Sequence, residues 1–206
     1  MTTAAGTATP TSILMSEHRV IERMLVVLDR MADEFLEAGA VNAPLAAEAV
    51  DFLRTFADRC HHGKEEVNLF PAMERLGLPR EAGPTAVMRQ EHTVGRSLTS
   101  SLAVAAEKGD VRRFADTARA YTGLLREHIL KEDQVLFPMA DEMLTPDMQA
   151  DLLRAFERVE HDDLGPGTHE RLLGVVERLC DRFGVPETVP SKVGGCGGGG
   201  CGHHRS

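Results

Sequence analysis

Two stretches of the chain place a nitrogen donor and a carboxylate four residues apart: His61-His62-Gly63-Lys64-Glu65 and, sixty-seven residues later, His128-Ile129-Leu130-Lys131-Glu132. On an α-helix, residues i and i+4 share a face with Cβ atoms roughly 6 Å apart, so the two side chains converge on one point. A metal ion requires that convergence. A second duplication precedes the first, because Glu17-His18-Arg19-Val20 recurs as Glu91-His92-Thr93-Val94, each about forty residues ahead of an H-x-x-x-E. Two helical hairpins, each bringing one single histidine and one His/Glu pair, can close into an antiparallel four-helix bundle with six side chains pointing inward. Bundles build carboxylate-bridged dimetal sites in this way.

Both H-x-x-x-E copies run on into matching tails, Lys64-Glu65-Glu66-Val67-Asn68-Leu69-Phe70-Pro71 and Lys131-Glu132-Asp133-Gln134-Val135-Leu136-Phe137-Pro138. At these residues the chain resembles the hemerythrin-like, or HHE cation-binding, family, over roughly residues 12 to 142. The resemblance implies a non-haem diiron site, two Fe ions bound by His18, His61, Glu65, His92, His128 and Glu132. His62 with Glu66 also reads H-x-x-x-E. Phe70 lies five residues after Glu65 and Phe137 five after Glu132, and that alignment selects His61.

Two six-coordinate irons offer twelve positions. Two bridging carboxylates, four histidines and one bridging oxide or hydroxide leave two of them open, one on each iron if the arrangement follows the duplication. Oxygen-carrying hemerythrins have a fifth histidine, in an H-x-x-x-H on the third helix, where this chain has Arg96. The four-His, two-Glu set is similar instead to the iron–sulfur-cluster repair and nitric-oxide-handling branch, whose N-terminal cysteine-containing segment is lacking here. Imidazole and carboxylate together also accept Mn, Co or Zn, so iron follows from the resemblance and not from the spacing.

The elements that must position these residues are helical throughout. With no Trp and one Tyr among 206 residues, the apolar 42% is built from Leu, Val, Met, Ala and Phe, most of which suit helices. Residues 1–11 read as a disordered arm, followed by a hemerythrin-like bundle over 12–142. Its first helix ends at Gly39, its second starts at Asn42, its third runs from about Pro84 to Glu107, and its fourth starts at Asp110 and reaches about Met139. Pro71 and Pro138 each remove a backbone donor, so the helix should kink or restart there. Two accessory helices fill 143–184, the first capped by Thr145, and they are expected to pack as a hairpin against the bundle. Residues 185–206 form a flexible Gly-rich tail in which Cys196, Cys201, His203 and His204 are a candidate second metal site.

Around the main site, Glu22, four residues after His18, reads as a partner of a ligand histidine, the lining of an entry path or a solvated helix face, and Tyr121, two turns before His128, as a hydrogen-bond donor to a bound oxygen species or a core tyrosine. Glu17 and Glu91, one residue before ligand histidines, point roughly 100° away and read as surface charges. His62, His161 and His169 read as surface or capping residues, and Cys60 and Cys180 as small core residues.

The balance of 32 acidic against 23 basic residues, a net charge of −9, argues against nucleic-acid or anionic-membrane partners. No apolar run is long enough to span a bilayer, and a cytoplasmic monomer or weak dimer is expected. The function expected is binding or reduction of a small oxidant (O2, NO or peroxide), with an outside electron donor if catalytic. A gas sensor or carrier is one alternative, and iron storage or delivery with the tail as transfer arm is another.

Overall fold

A computed structural model describes residues 8–188, all helical with no strand among them. The chain forms α1 (Pro10–Ala38), α2 (43–75), α3 (Pro84–Lys108), α4 (111–143), α5 (146–163) and α6 (Thr168–Phe183). Helices α1 to α4 form a closed ring in which α1 neighbours α4, α4 neighbours α3, α3 neighbours α2 and α2 neighbours α1. The connections between α1 and α2 and between α3 and α4 are too short for anything but antiparallel neighbours.

Local chemistry accounts for the ends. Asn42 Oδ1 accepts from Leu45 N at 3.3 Å, Asp110 Oδ1 from Arg113 N at 3.0 Å and Thr145 Oγ1 from Met148 N at 3.3 Å, each satisfying a free donor of a first turn. Gly39 and Gly109 close α1 and α3 in the left-handed region, at φ 65° and 63°. Helix α1 starts earlier than the sequence reading placed it. Thr9 caps it reciprocally with Ser12, Pro10 opens it, and Thr11 is buried and donates to Asp141 at 2.6 Å. Residues 9–11 of the expected arm are therefore cap and first turn, because a Thr-Pro pair is pre-shaped for a helix start.

Proline interrupts neither α2 nor α4. Ahead of Pro71 and Pro138 the backbone widens into π-helical turns, Glu65–Leu69 and Glu132–Leu136, in which Phe70 and Phe137 donate back five residues to the carbonyls of Glu65 and Glu132. The wide turn relieves the clash that proline makes with the carbonyl four residues back, so α2 continues to Arg75 and α4 to Met143. A longer π-helical stretch, Leu53–His62, lies just before the first of these.

The interior has two apolar cores with a polar layer between them. One holds Ile21, Leu25, Phe56, Ala57, Leu102, Leu125 and Ile129, and the other Leu14, Leu69, Phe70, Met88, Leu136 and Phe137. On every bundle helix the candidate ligands fall between residues of the two cores. The accessory helices pack against α1 and α2. Leu152 and Phe156 of α5 join the second core, and Leu172, Val175, Val176 and Leu179 of α6 join the first. Arg23 holds Glu177 of α6 through two hydrogen bonds of 2.5 and 2.8 Å.

Candidate metal centre

The polar layer brings together all six residues singled out by spacing, and adds a seventh. Donor atoms of His18, His61, Glu65 and Glu132 lie close enough to share one ion, and those of His62, Glu65, His92 and His128 close enough to share another. None of the seven is more than 4% exposed. Glu65 spans the two groups, with Oε1 3.6 Å from His61 Nε2 and Oε2 3.4 Å from His92 Nε2. Glu132 spans them too, its Oε2 lying 3.2 Å from both His18 Nε2 and His128 Nε2.

His62 corrects the sequence reading, which gave it a surface or capping role. It is buried, its ring stacks on His92 at 3.8 Å between centroids, and its Nε2 has no hydrogen-bond partner. Consecutive residues of an α-helix point about 100° apart, so His61 and His62 should not share an interior. The π-helical stretch ending at His62 lowers the angular step per residue and keeps both rings inside. His62 aligns with Ile129 in the second repeat, so the duplication breaks its symmetry here, within the donor set.

Every histidine of the layer is held from behind by a carboxylate. Asp133 takes Nδ1 of His18 at 2.7 Å, Glu17 that of His61 at 2.9 Å, Asp58 that of His62 at 3.4 Å, Glu66 that of His92 at 2.7 Å and Glu91 that of His128 at 2.9 Å. A carboxylate only accepts, so each Nδ1–H donates and each Nε2 is turned toward the layer. Glu17 and Glu91 are therefore not surface charges. Each reaches the partner helix of its own hairpin, while Glu66 and Asp133 reach the other hairpin. A helix wheel shows each acid pointing away from its neighbouring histidine and omits the helix it points toward.

The acids are anchored in turn. Lys64 pairs with Glu17, Lys131 with Glu91 and Arg19 with Asp133. Arg96 donates to Asp58 at 3.0 Å and Glu66 at 3.1 Å, so the residue standing where a third-helix histidine would be fixes the carboxylates behind His62 and His92. The repeated Glu-His and Lys-Glu-(Glu/Asp) units thus all take part in one network. Glu17, Glu160 and His169 form a further acidic group near the surface, and there the Lys64 ammonium, bound to both carboxylates, already supplies the cation.

The other candidates lie apart from the donors. Tyr121 is buried in the first core with its hydroxyl toward Thr99, and burial raises its pKa. Glu22 is half-buried and pairs with Arg19 at 3.3 Å. His161 is exposed, His169 packs against Phe56 at 5.3 Å between ring centroids, and Cys60 and Cys180 are buried and free. Cys196, Cys201, His203 and His204 lie outside the described residues.

Residues 9–140 match the family model described as Hemerythrin HHE cation binding domain. The chain belongs to the hemerythrin HHE cation-binding family. Relatives of the chain include uncharacterised proteins of Mycobacterium bovis and Mycobacterium tuberculosis, each 27% identical over 174 residues, covering 82% of this chain and 66% of theirs. The chain thus spans just under two thirds of their length. No solved structure matches it.

The donors of this hemerythrin fit a pair of cations. Nε2 of His18, His61 and His62 and all four oxygens of Glu65 and Glu132 are buried without a hydrogen-bond partner, a costly arrangement that cations at their focus would relieve. Nε2 of His92 and His128 lie 3.0 Å apart, the spacing of two ligands at right angles on one ion with bonds of roughly 2.1 Å. Burial, reinforced by the neighbouring Glu132 charge, pushes Glu65 well above the usual carboxylate range. Burial opposes ionisation of Glu132 as well, but the adjacent His128 and His18 outweigh it and hold its pKa far down. Burial and neighbouring histidines keep His61, His62 and His92 neutral, as metal ligands must be. Burial also works against a charge on His18 and His128, but the acids beside them prevail, pushing His128 up to about 9.

Proposed function

We propose that this hemerythrin is a non-haem diiron protein that binds one small oxidant, O2, NO or peroxide, at a single position on the metal held by His18 and His61. The observation that carries the reading is the unequal donor count, three histidines at one focus and two at the other, with Glu65 common to both groups and Glu132 Oε2 3.2 Å from a histidine of each. Five imidazole nitrogens and four carboxylate oxygens supply nine of twelve positions. A bridging oxide or hydroxide would take two more, and the one left would fall on the two-histidine side. With His62 as a donor, this reading has one open position in place of the expected one on each metal.

Iron in this site supplies one-electron steps and an exchangeable coordination position. The protein's part is to hold the donors and exclude water. Phe137 stacks on His18 at 5.3 Å, Phe70 lies over His92 at 6.0 Å, and apolar cores close both sides of the layer. Asp133 and Glu17 fix the orientations of His18 and His61, the two imidazoles flanking the open position.

Titration of the reduced, iron-loaded protein with NO under anaerobic conditions tests the reading by stoichiometry. One NO bound per pair of irons is expected; two per pair, or none, would overturn it. Addition of O2 followed by vacuum then separates carriage from reduction. Charge-transfer bands that form and disappear mark a carrier or sensor, whereas irreversible conversion to the diferric spectrum marks an oxidoreductase.

A further inference from the structure

A cavity of about 270 Å³ lies between α2 and α5, away from the donor layer, and its lining combines two kinds of surface. Val67, Ala72, Met148, Leu152 and Ala155 give it an apolar wall, and Asn68, Arg75 and Arg158 give it donors. Asn68 carries an amide nitrogen removed from water and without a hydrogen-bond partner. Such a donor costs free energy until something accepts from it.

Arg75 and Arg158 make no ion pair or hydrogen bond among the described residues, although the chain carries a net charge of −9 and most of its arginines are paired. The acidic residue of the lining, Asp151, is engaged by Arg154. The cavity is therefore cationic through two unpaired guanidiniums and offers apolar surface alongside.

We infer that this cavity binds a small organic carboxylate with an apolar body. The carboxylate would lie between the Arg75 and Arg158 guanidiniums, which match its two oxygens in geometry and charge. The body would cover Leu152, Ala155 and Met148. Inorganic phosphate would satisfy the donors but not the wall, and a neutral isostere the wall but not the donors. Val67 and Asn68 belong to the turn that carries Glu65 and Glu66, so an occupant would touch the segment that supplies a bridging carboxylate and the support of His92.

The test is a calorimetric titration of the metal-loaded full chain with benzoate, benzamide and inorganic phosphate, repeated on an Arg75→Gln/Arg158→Gln variant. Both arginines are exposed, so their replacement leaves the fold intact. One benzoate per chain is expected, with a Kd of about 1 mM or below, weakened at least about tenfold in the variant. Benzamide and phosphate are expected to bind at least about tenfold more weakly than benzoate. Three results would each overturn the inference: no binding at about 10 mM benzoate, equal binding by benzamide or phosphate, or benzoate affinity unchanged in the variant. Carboxylate ligation of the metals themselves would survive the arginine replacements and so counts against it.

Discussion

Lys64 and Lys131 occupy the same position in the two repeats and hold equivalent acids, Glu17 and Glu91, yet their surroundings differ. The Lys64 side chain is fully buried, with Glu17 only 7% exposed and Glu160 of α5 as second partner, while that of Lys131 is 40% exposed. Removing one member of a buried pair leaves an uncompensated charge and costs about 3–5 kcal/mol, whereas breaking an exposed pair costs about 0–1 kcal/mol. Glu160 is partly exposed and can rehydrate, which puts Lys64→Met at the lower end, about 3 kcal/mol. At roughly 2–4 °C per kcal/mol for a chain of this size, Lys64→Met should lower the melting temperature by roughly 6–12 °C and Lys131→Met by less than roughly 4 °C. Thermal melts of both variants at pH 7 with chelator present measure this without any contribution from metal binding. Equal shifts, or a larger one for Lys131→Met, would refute the argument that burial sets the difference between the two pairs.

The remaining predictions concern the donor layer and its surroundings. His62→Ile, which copies Ile129 of the other repeat, should cost one of the two focuses its third imidazole; metal titration should show one ion held at least about tenfold more weakly, and unchanged affinity for both would remove His62 from the donor set. Glu91→Gln should weaken metal binding by about 10–100-fold while leaving helix content unchanged, as read by dialysis against a competing chelator and circular dichroism. Cys60, pushed up to about 12 by burial and then by the Glu17 charge, should resist thiol reagents in the native protein and react only on unfolding, a contrast measurable once Cys196 and Cys201 are replaced by Ser. The Arg23 hydrogen bond depresses the pKa of Glu177 below its ordinary 4.5, so the stability it lends is present above that value and lost as pH falls through the folded pKa. With Glu177 60% exposed this is about 1 kcal/mol at most, and the melting difference between the wild type and Glu177→Gln should vanish in acid.

How much of this was legible in the sequence depends on the range of the interaction. Asn42, Asp110 and Thr145 could be read as caps because the group they satisfy is three residues away. The convergence of His18, His61, Glu65, His92, His128 and Glu132 was visible because the duplication repeats donor types at i+4 spacing. His62 was not, since an α-helical wheel turns it outward and only the widened turns of α2 bring it back. The partners of Glu17, Glu66, Glu91 and Asp133 lie on other helices, although all four recur at equivalent positions in the two repeats, a signal that could have pointed to them. The start of α1 was missed for a simpler reason: the small polar composition of the first residues outweighed the Thr-Pro cap within them.

The cross-bracing of the layer bears on when the protein can take up metal during synthesis. His18 leans on Asp133 and His92 on Glu66, so acids from each half of the chain orient imidazoles from the other. A nascent chain released from the ribosome only as far as the loop after α2 presents His18, His61, His62 and Glu65, but neither Glu132 nor the acid that aims His18. Such a half-chain has no second carboxylate with which to hold a pair of ions. Loading of a pair therefore waits for α4, and a centre holding both ions would certify a closed four-helix bundle.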